Sequence, residues 1–269
     1  MAIKIVKAAN SLLNFFVTLF LCIAGLYAGY ALWDNNQVYA AAQNVQADMI
    51  KLKPVLSEDG EDGASFEELL AINKDVCAWV TVDNTDIDFP ILQGETNLSY
   101  INTDVYGNFA LAGSIFLDSR NAPYFTDQYN LVHGHHMAER RMFGDLDLYK
   151  DQKFFEENRT GVLILEDKTY SLRTFSALYV LSYDKVIFQP NKWINDLKEP
   201  LEYAKEISLY KDDEMIDRLY KENEEAKVGG KKPQIILLAT CSPESDDSRF
   251  VLLAEMIPLE ASKNGEVEP

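Results

Sequence analysis

The sequence predicts a mostly-β domain of the α+β class, with eight strands closed or nearly closed into a barrel, peripheral helices, and a transmembrane helix at the N-terminus. Three observations carry that reading. Residues 15–33 contain no charged side chain. From residue 78 onward, short apolar runs rich in Val, Ile, Phe and Tyr alternate with turn chemistry. One interruption, residues 196–226, spaces its apolar residues for a helix instead. A chain of 269 residues holds one good-sized domain plus accessories, and its 47% hydrophobic content excludes general disorder.

Residues 15–33 are long enough to cross a bilayer as a helix. Lys4 and Lys7 precede the run, Asp34 follows it, and the next lysine is Lys51. The positive-inside rule then leaves residues 1–14 in the cytoplasm and everything after Trp33 outside the cell. A cleaved signal peptide is the competing reading, with small residues at Val38-Tyr39-Ala40, but the apolar run exceeds a usual signal core. Residues 34–64 form a stalk and hinge: a polar, helix-compatible stretch, then the acidic, glycine-punctuated run Ser57 to Gly63. The main folded domain is expected over residues 65–269, opening on a short helix with Ser65 as N-cap and Glu68 at the capping-box position.

The strands are expected at 78–82, 87–92, 113–117, 129–134, 161–166, 170–181, 234–241 and 249–257. Asp83-Asn84, Asn121-Ala122-Pro123 and Asp167-Lys168 mark turns between them. Eight such strands suit a barrel, because closure removes exposed edges. Residues 142–158 read as partly helical. Across 196–226, Leu201, Ala204, Ile207, Met215, Ile216, Leu219 and Tyr220 keep helical spacing under a charged outer face.

A formal charge of −18 argues against a nucleic-acid partner and against docking of the domain on anionic lipid. Of three cysteines, Cys22 lies in the apolar run, so only Cys77 and Cys241 remain outside it. An exported domain built on disulfides would carry a larger, even set. Cys77 precedes an apolar strand and reads as core, which makes Cys241 a free thiol.

Cys241 closes the apolar run 234–241, and Arg249 opens the returning strand after the turn residues 242–248. The hairpin sets a thiol at one strand's exit against a guanidinium at the next strand's entrance. A fixed cation favours thiolate and can receive a developing oxyanion. The bland alternative is a small buried hydrophobe. All three histidines stand in His133-Gly134-His135-His136, at the end of strand 129–134, where alternation sends His133 and His135 to one side and His136 to the other. Either one histidine serves Cys241 as base or imidazolium partner, or His133 and His135 chelate a metal with Cys241 or an acid. The metal reading is weakened by Ala138, where a His-x-His-x-Asp-His run would need Asp.

Leu238-Ala239-Thr240-Cys241 followed by Arg249, with Gly134-His135 upstream, resembles the sortases, membrane-anchored cysteine transpeptidases of Gram-positive bacteria. Trp79 to Val82, Ile87 to Gly94, Asn97 to Ile101 and Gly113 to Asp118 are similar to the family's early segments, in the expected order. The Gly-His-His-Met run, Met142 to Leu146 after it, and the helical stretch before the Cys241 strand resemble class B members. The Asp-Pro-aromatic lid of class C is not matched by residues 58–63, nor its second membrane span by the polar tail 263–269.

The resemblance implies Cys241 as nucleophile, His135 as general acid/base and Arg249 as the cation at the thioacyl centre. It implies substrate contacts at Asn97, Ile101, His133, Thr240 and Ser242, with no metal or organic cofactor. Leu237 stands where the family usually has Thr, His133 where an aromatic commonly precedes Gly-His, and Ser242 where an acid is sometimes found. The implied partners are C-terminal sorting signals of exported surface or pilin proteins, and an acceptor amine from a peptidoglycan crossbridge or a pilin lysine. Two alternatives stay open: an exported cysteine endopeptidase that resolves the acyl-enzyme with water, and a non-enzymatic surface protein.

Overall fold

The computed structural model describes residues 2–54, 66–137, 139–241 and 247–259, with Cys241 described through its backbone. Residues 57–63, Ser65, Ser242 and the tail 263–269 therefore lie outside the described residues. The chain divides into two compact units, residues 1–41 and 42–269.

Helix α1 (Ala2–Ile50) supplies nearly all of the first unit. It is long and apolar enough to cross a membrane, and the protein buries none of its apolar window. Phe15, Phe16, Leu19, Phe20, Leu26 and Trp33 all stand exposed, as they would against lipid. At about 1.5 Å per residue, residues 15–33 rise roughly 28 Å, close to the hydrocarbon thickness of a bilayer.

The second unit is built on eight strands, all of them at the expected places: β1 (Val76–Val82), β2 (Asp88–Leu92), β3 (Ile115–Leu117), β4 (Tyr129–Gly134), β7 (Thr160–Ile164), β8 (Thr169–Leu181), β10 (Ile235–Cys241) and β11 (Ser248–Leu259). They run in the order β11-β10-β4-β3-β2-β1-β7-β8, and the β8–β11 pairing closes the ring. Among the described residues, only β2–β3 and β4–β10 pair in parallel. Three two-residue strands were not foreseen: β5 (His136–Met137) pairs with β6 (Arg141–Met142), and β9 (Tyr210–Lys211) adds to β8. So short a run carries no periodicity to detect.

Strand β10 shows why its sequence is apolar throughout. Ile236 and Leu238 point into the barrel with Val80, Ile91, Val132, Phe250 and Leu252. Ile235, Leu237 and Ala239 point outward, beneath Leu201, Ile216 and Leu219 of α4 (Lys198–Ile207) and α5 (Asp213–Ala226). A strand covered on both faces has no solvent side to alternate with. A third cluster, around Trp79, joins Met49 and α2 (Phe66–Ile72) to the barrel wall.

The structure corrects one element. Residues 196–226 are two helices, α4 and α5, rather than one. Leu209 and Asp212 donate their backbone N–H groups to Ala177 and Phe175 of β8, at 2.8 Å each, instead of to the helix. Asp212 then caps α5, accepting from the Met215 N–H at 2.9 Å. Helical periodicity persists across the break, so hydrogen bonding to the sheet overrides it. The partly helical stretch 142–158 is a 3-10 segment (Phe143–Lys150) followed by α3 (Gln152–Glu157).

Candidate active site

The parallel pairing of β4 with β10 sets Gly134 beside Thr240. The antiparallel pairing of β10 with β11 sets Cys241 directly opposite Arg249. Strand register alone thus gathers the ends of the two motifs. A cleft of about 290 Å³ opens there, lined by Asn97, Ile101, Phe116, Asp118, Arg120, His133, Gly134, His135, Ser182, Phe188, Ala239, Thr240 and Arg249. Every described candidate is in that lining, save Cys241, whose backbone adjoins it at the end of β10. Ser242 lies outside the described residues.

Gly134 has a steric reason to precede His135. A Cβ at Gly134 would come within 2.5 Å of the Ile115 side chain and 2.6 Å of Phe143. Glycine lets the end of β4 close onto Phe143, whose N–H then donates to the His135 carbonyl at 3.0 Å. His135 is half-buried, with Nε2 lying 2.6 Å from the Ile101 carbonyl oxygen. His136 is not in the cleft lining; it pairs with Asp147 at 2.9 Å. Arg249 is half-buried and donates through Nη1 to its neighbour's carbonyl, Ser248, at 2.8 Å.

One side of the cleft is organised by Asp118, which sequence reasoning did not single out. Its carboxylate is fully buried and accepts from Arg120 Nε at 2.8 Å, Arg120 Nη2 at 2.7 Å and Asn97 Nδ2 at 2.8 Å. His133 Nε2 lies 2.9 Å from the same carboxylate. Burial opposes ionisation of Asp118, yet hydrogen bonds from Arg120 and His133 outweigh it and hold the carboxyl well below its ordinary range. Asn97 also accepts from the Ser119 N–H at 2.7 Å, so its amide ties the loop after β2 to the end of β3.

The ring of His133 stacks between Phe116, at 5.2 Å between centroids, and Phe188, at 6.3 Å. His133 thus presents a flat, stacked ring in the cleft lining. Phe188, Phe116 and Arg120 were also missed. Phe188 reaches the cleft from a remote segment and leaves no sequence signal, whereas Asp118-Ser119-Arg120 directly after a strand was a readable one. Thr240 presents the converse case. It is 1% exposed and its Oγ1 has no hydrogen-bond partner among the described residues. Buried hydroxyls are nearly always satisfied, so one left open beside a cleft is suited to a ligand.

Among the described residues, no group of three or more His, Cys, Asp or Glu is arranged to hold a metal ion. Cys77, the other cysteine beyond the apolar run, is partly buried and donates Sγ–H to the Ile91 carbonyl at 3.4 Å. Burial pushes its thiol well above the ordinary value.

A closed eight-stranded barrel, a cysteine at a strand end opposite an arginine, and a histidine across the cleft describe the sortase class of cysteine transpeptidase. No protein-family model matches the sequence, but individual relatives do. The chain is 32% identical to Spy0129, a Streptococcus pyogenes class B sortase involved in pilus biogenesis, with a TM-score of 0.61 over 74% of this chain and 100% of that one. A mutant form of Clostridium perfringens sortase B superposes with a TM-score of 0.65 at 26% identity, covering 81% of this chain and 97% of that chain. Sortase B of Listeria monocytogenes serovar 1/2a (strain ATCC BAA-679 / EGD-e) is 29% identical over 237 residues, spanning 87% of this chain and 91% of its own length. The chain belongs to the sortase family. Within that family it is class B-like, and it is a cysteine transpeptidase.

Proposed function

We propose that the protein cleaves a C-terminal sorting motif of exported proteins through a thioacyl intermediate on Cys241 and transfers the acyl group to an amine. The observation that carries this reading is the convergence of His135, Arg249 and Thr240 on the cleft at the strand end that Cys241 completes. The Cys241 sulfur attacks the carbonyl carbon of a threonine in the motif, and its proton passes to His135. Arg249 and backbone N–H groups stabilise the tetrahedral oxyanion, which carries the charge that develops in the transition state. As the scissile C–N bond breaks, His135 returns the proton to the leaving amine. An incoming amine then attacks the thioester, gives up a proton to His135, and expels the Cys241 sulfur, which recovers it. A new amide results, with no net redox change.

Thr240 Oγ1, buried and unpartnered, suits a hydrogen bond to the substrate backbone or side chain. The stacked His133, with Asn97 and Ile101, forms the wall against which the motif lies. The acceptor is an amine of the cell wall or a pilin lysine, and similarity to the Streptococcus pyogenes pilus sortase favours the lysine. Residues 15–33 anchor the enzyme with residues 1–14 in the cytoplasm, since Lys4 and Lys7 flank the span on that side. Residues 34–64 then serve as stalk and hinge, and residues 65–269 as the extracellular catalytic domain. Confinement of enzyme and tethered substrate to one surface raises their effective concentration.

The test is to incubate the full-length chain, in detergent, with a library of C-terminal sorting peptides and candidate amines. Formation of an amide product that disappears in Cys241→Ala supports the reading. Hydrolysed peptide alone, whatever the amine, would make the protein an endopeptidase instead. Activity that survives Cys241→Ala would end both readings.

A further inference from the structure

His135 is held at both ends. Its backbone is pinned by Phe143, and its ring reaches the Ile101 carbonyl oxygen at 2.6 Å through Nε2. A carbonyl oxygen has no hydrogen to give, so a contact that short is an Nε2–H donating to it. A neutral imidazole carries one N–H only. With Nε2 protonated, the lone pair lies on Nδ1.

The carbonyl itself is seated by Gly113. That residue has φ +57°, and a Cβ on it would stand 2.4 Å from the Ile101 oxygen and 2.7 Å from the Tyr100 oxygen. The space a side chain would fill is where the Ile101 carbonyl sits. The rest of the segment is firmly held. Tyr100 donates its hydroxyl to Asp75 at 2.8 Å, the Ser114 N–H donates to the Tyr100 carbonyl at 3.0 Å, and the Ala110 N–H donates to the Asn102 carbonyl at 3.0 Å. Ile101 is also among the residues lining the cleft. One residue therefore meets the cleft and holds the acid/base.

We infer that Ile101 and Gly113 are positioning residues that fix the tautomer of His135, so that Nδ1 alone exchanges protons with the reacting centre while Nε2 keeps its hydrogen throughout. The Cys241 proton moves to Nδ1, giving an imidazolium whose Nε2–H remains on the Ile101 carbonyl. The Nδ1 proton then leaves with the amine as the scissile C–N bond breaks. The inference rests on His135 being the acid/base of the proposed reaction.

The test is two-bond ¹H–¹⁵N correlation spectroscopy on the full-length chain in detergent micelles, labelled with ¹⁵N-histidine. With only three histidines, His133→Gln and His136→Gln suffice to assign the signals. His135 is expected to show the Nε2–H pattern at a pH where it is neutral, with a slowly exchanging ring proton. Gly113→Ala, which displaces the carbonyl, should abolish that slow proton and lower kcat about tenfold, with KM changed by less than about twofold. An Nδ1–H pattern in the wild type, or a Gly113→Ala protein with unchanged His135 signals and kcat, would overturn the inference. Should Gly113→Ala not fold, the wild-type tautomer decides the matter alone. Should His135→Ala keep full activity, the proposed role of His135 fails, whereas the spectrum still reports whether the Ile101 bond exists.

Discussion

Cys77 and Cys241 both lie on barrel strands, and the difference between their surroundings shows what makes a thiol useful. Cys77 lines a cavity of about 700 Å³ with Phe66, Leu70, Val76, Tyr124 and Leu165, and with charged residues such as Lys74 and Glu166. Lys74 and Asp75 are among the residues lining it but no histidine is, the Cys77 thiol proton is committed to the Ile91 carbonyl, and burial pushes its pKa up. Cys241 ends a strand beside a cleft less than half that volume, opposite Arg249 and across from His135. On the proposed mechanism, cavity size therefore does not select the reactive cysteine. What sets its surroundings apart is an imidazole held by a neighbouring loop beside an arginine that strand register places opposite.

The sharpest way to break that contrast is to exchange the two losses. Cys241→Ala should abolish amide formation, a fall of at least about 10⁴-fold. Cys77→Ala should leave kcat/KM within about twofold and cost about 1 kcal/mol of stability through lost packing. Steady-state assays with thermal melts check both. A large activity loss in Cys77→Ala would end the comparison. The supporting groups come next. His135→Ala and Arg249→Ala should each lower kcat by about 10²- to 10⁴-fold with the fold intact, as assays alongside circular dichroism would show.

Asp118 tests the other side of the cleft. Asp118→Asn keeps the shape but removes the charge that Arg120 and His133 share, so KM should rise about tenfold while kcat falls less. The same carboxyl gives a pH signature. Its folded pKa is depressed, so its contribution to stability, on the order of 2 kcal/mol, is complete above the unfolded value near 4 and is lost as pH falls below it. Denaturant melts from pH 6 down to pH 2 should show the gap between wild type and Asp118→Asn shrinking with acidity. A gap that stays constant would deny Asp118 its place in the network. The smallest effect belongs far from the cleft. Asp212→Ala removes the α5 cap and the Arg159 ion pair, and should lower stability by about 1–2 kcal/mol without changing kcat.

Much of the barrel was legible because its strands are short apolar runs between turn residues. The Cys241–Arg249 facing pair follows from any hairpin that joins 234–241 to 249–257. Asp118-Ser119-Arg120 after a strand was a readable signal, but its tie to His133 was not, because that depends on β3 and β4 pairing so that Phe116 lies opposite His133. Nothing in the local spacing announces that register. The break between α4 and α5 was hidden for a related reason: the backbone groups that stop the helix bond to β8, a partner that helical periodicity cannot reveal. Thr240 was legible as a neighbour of Cys241, but its unpartnered hydroxyl appears only once its surroundings are known.

The most direct test of the central claim is mass spectrometry of the full-length chain mixed with a sorting peptide and no added amine. Cys241 should gain the mass of the acyl fragment N-terminal to the cleaved bond, Cys77 should gain nothing, and an added amine should discharge the adduct into an amide. Turnover with no adduct on Cys241, or an adduct that yields only hydrolysed peptide when amine is supplied, would contradict the account.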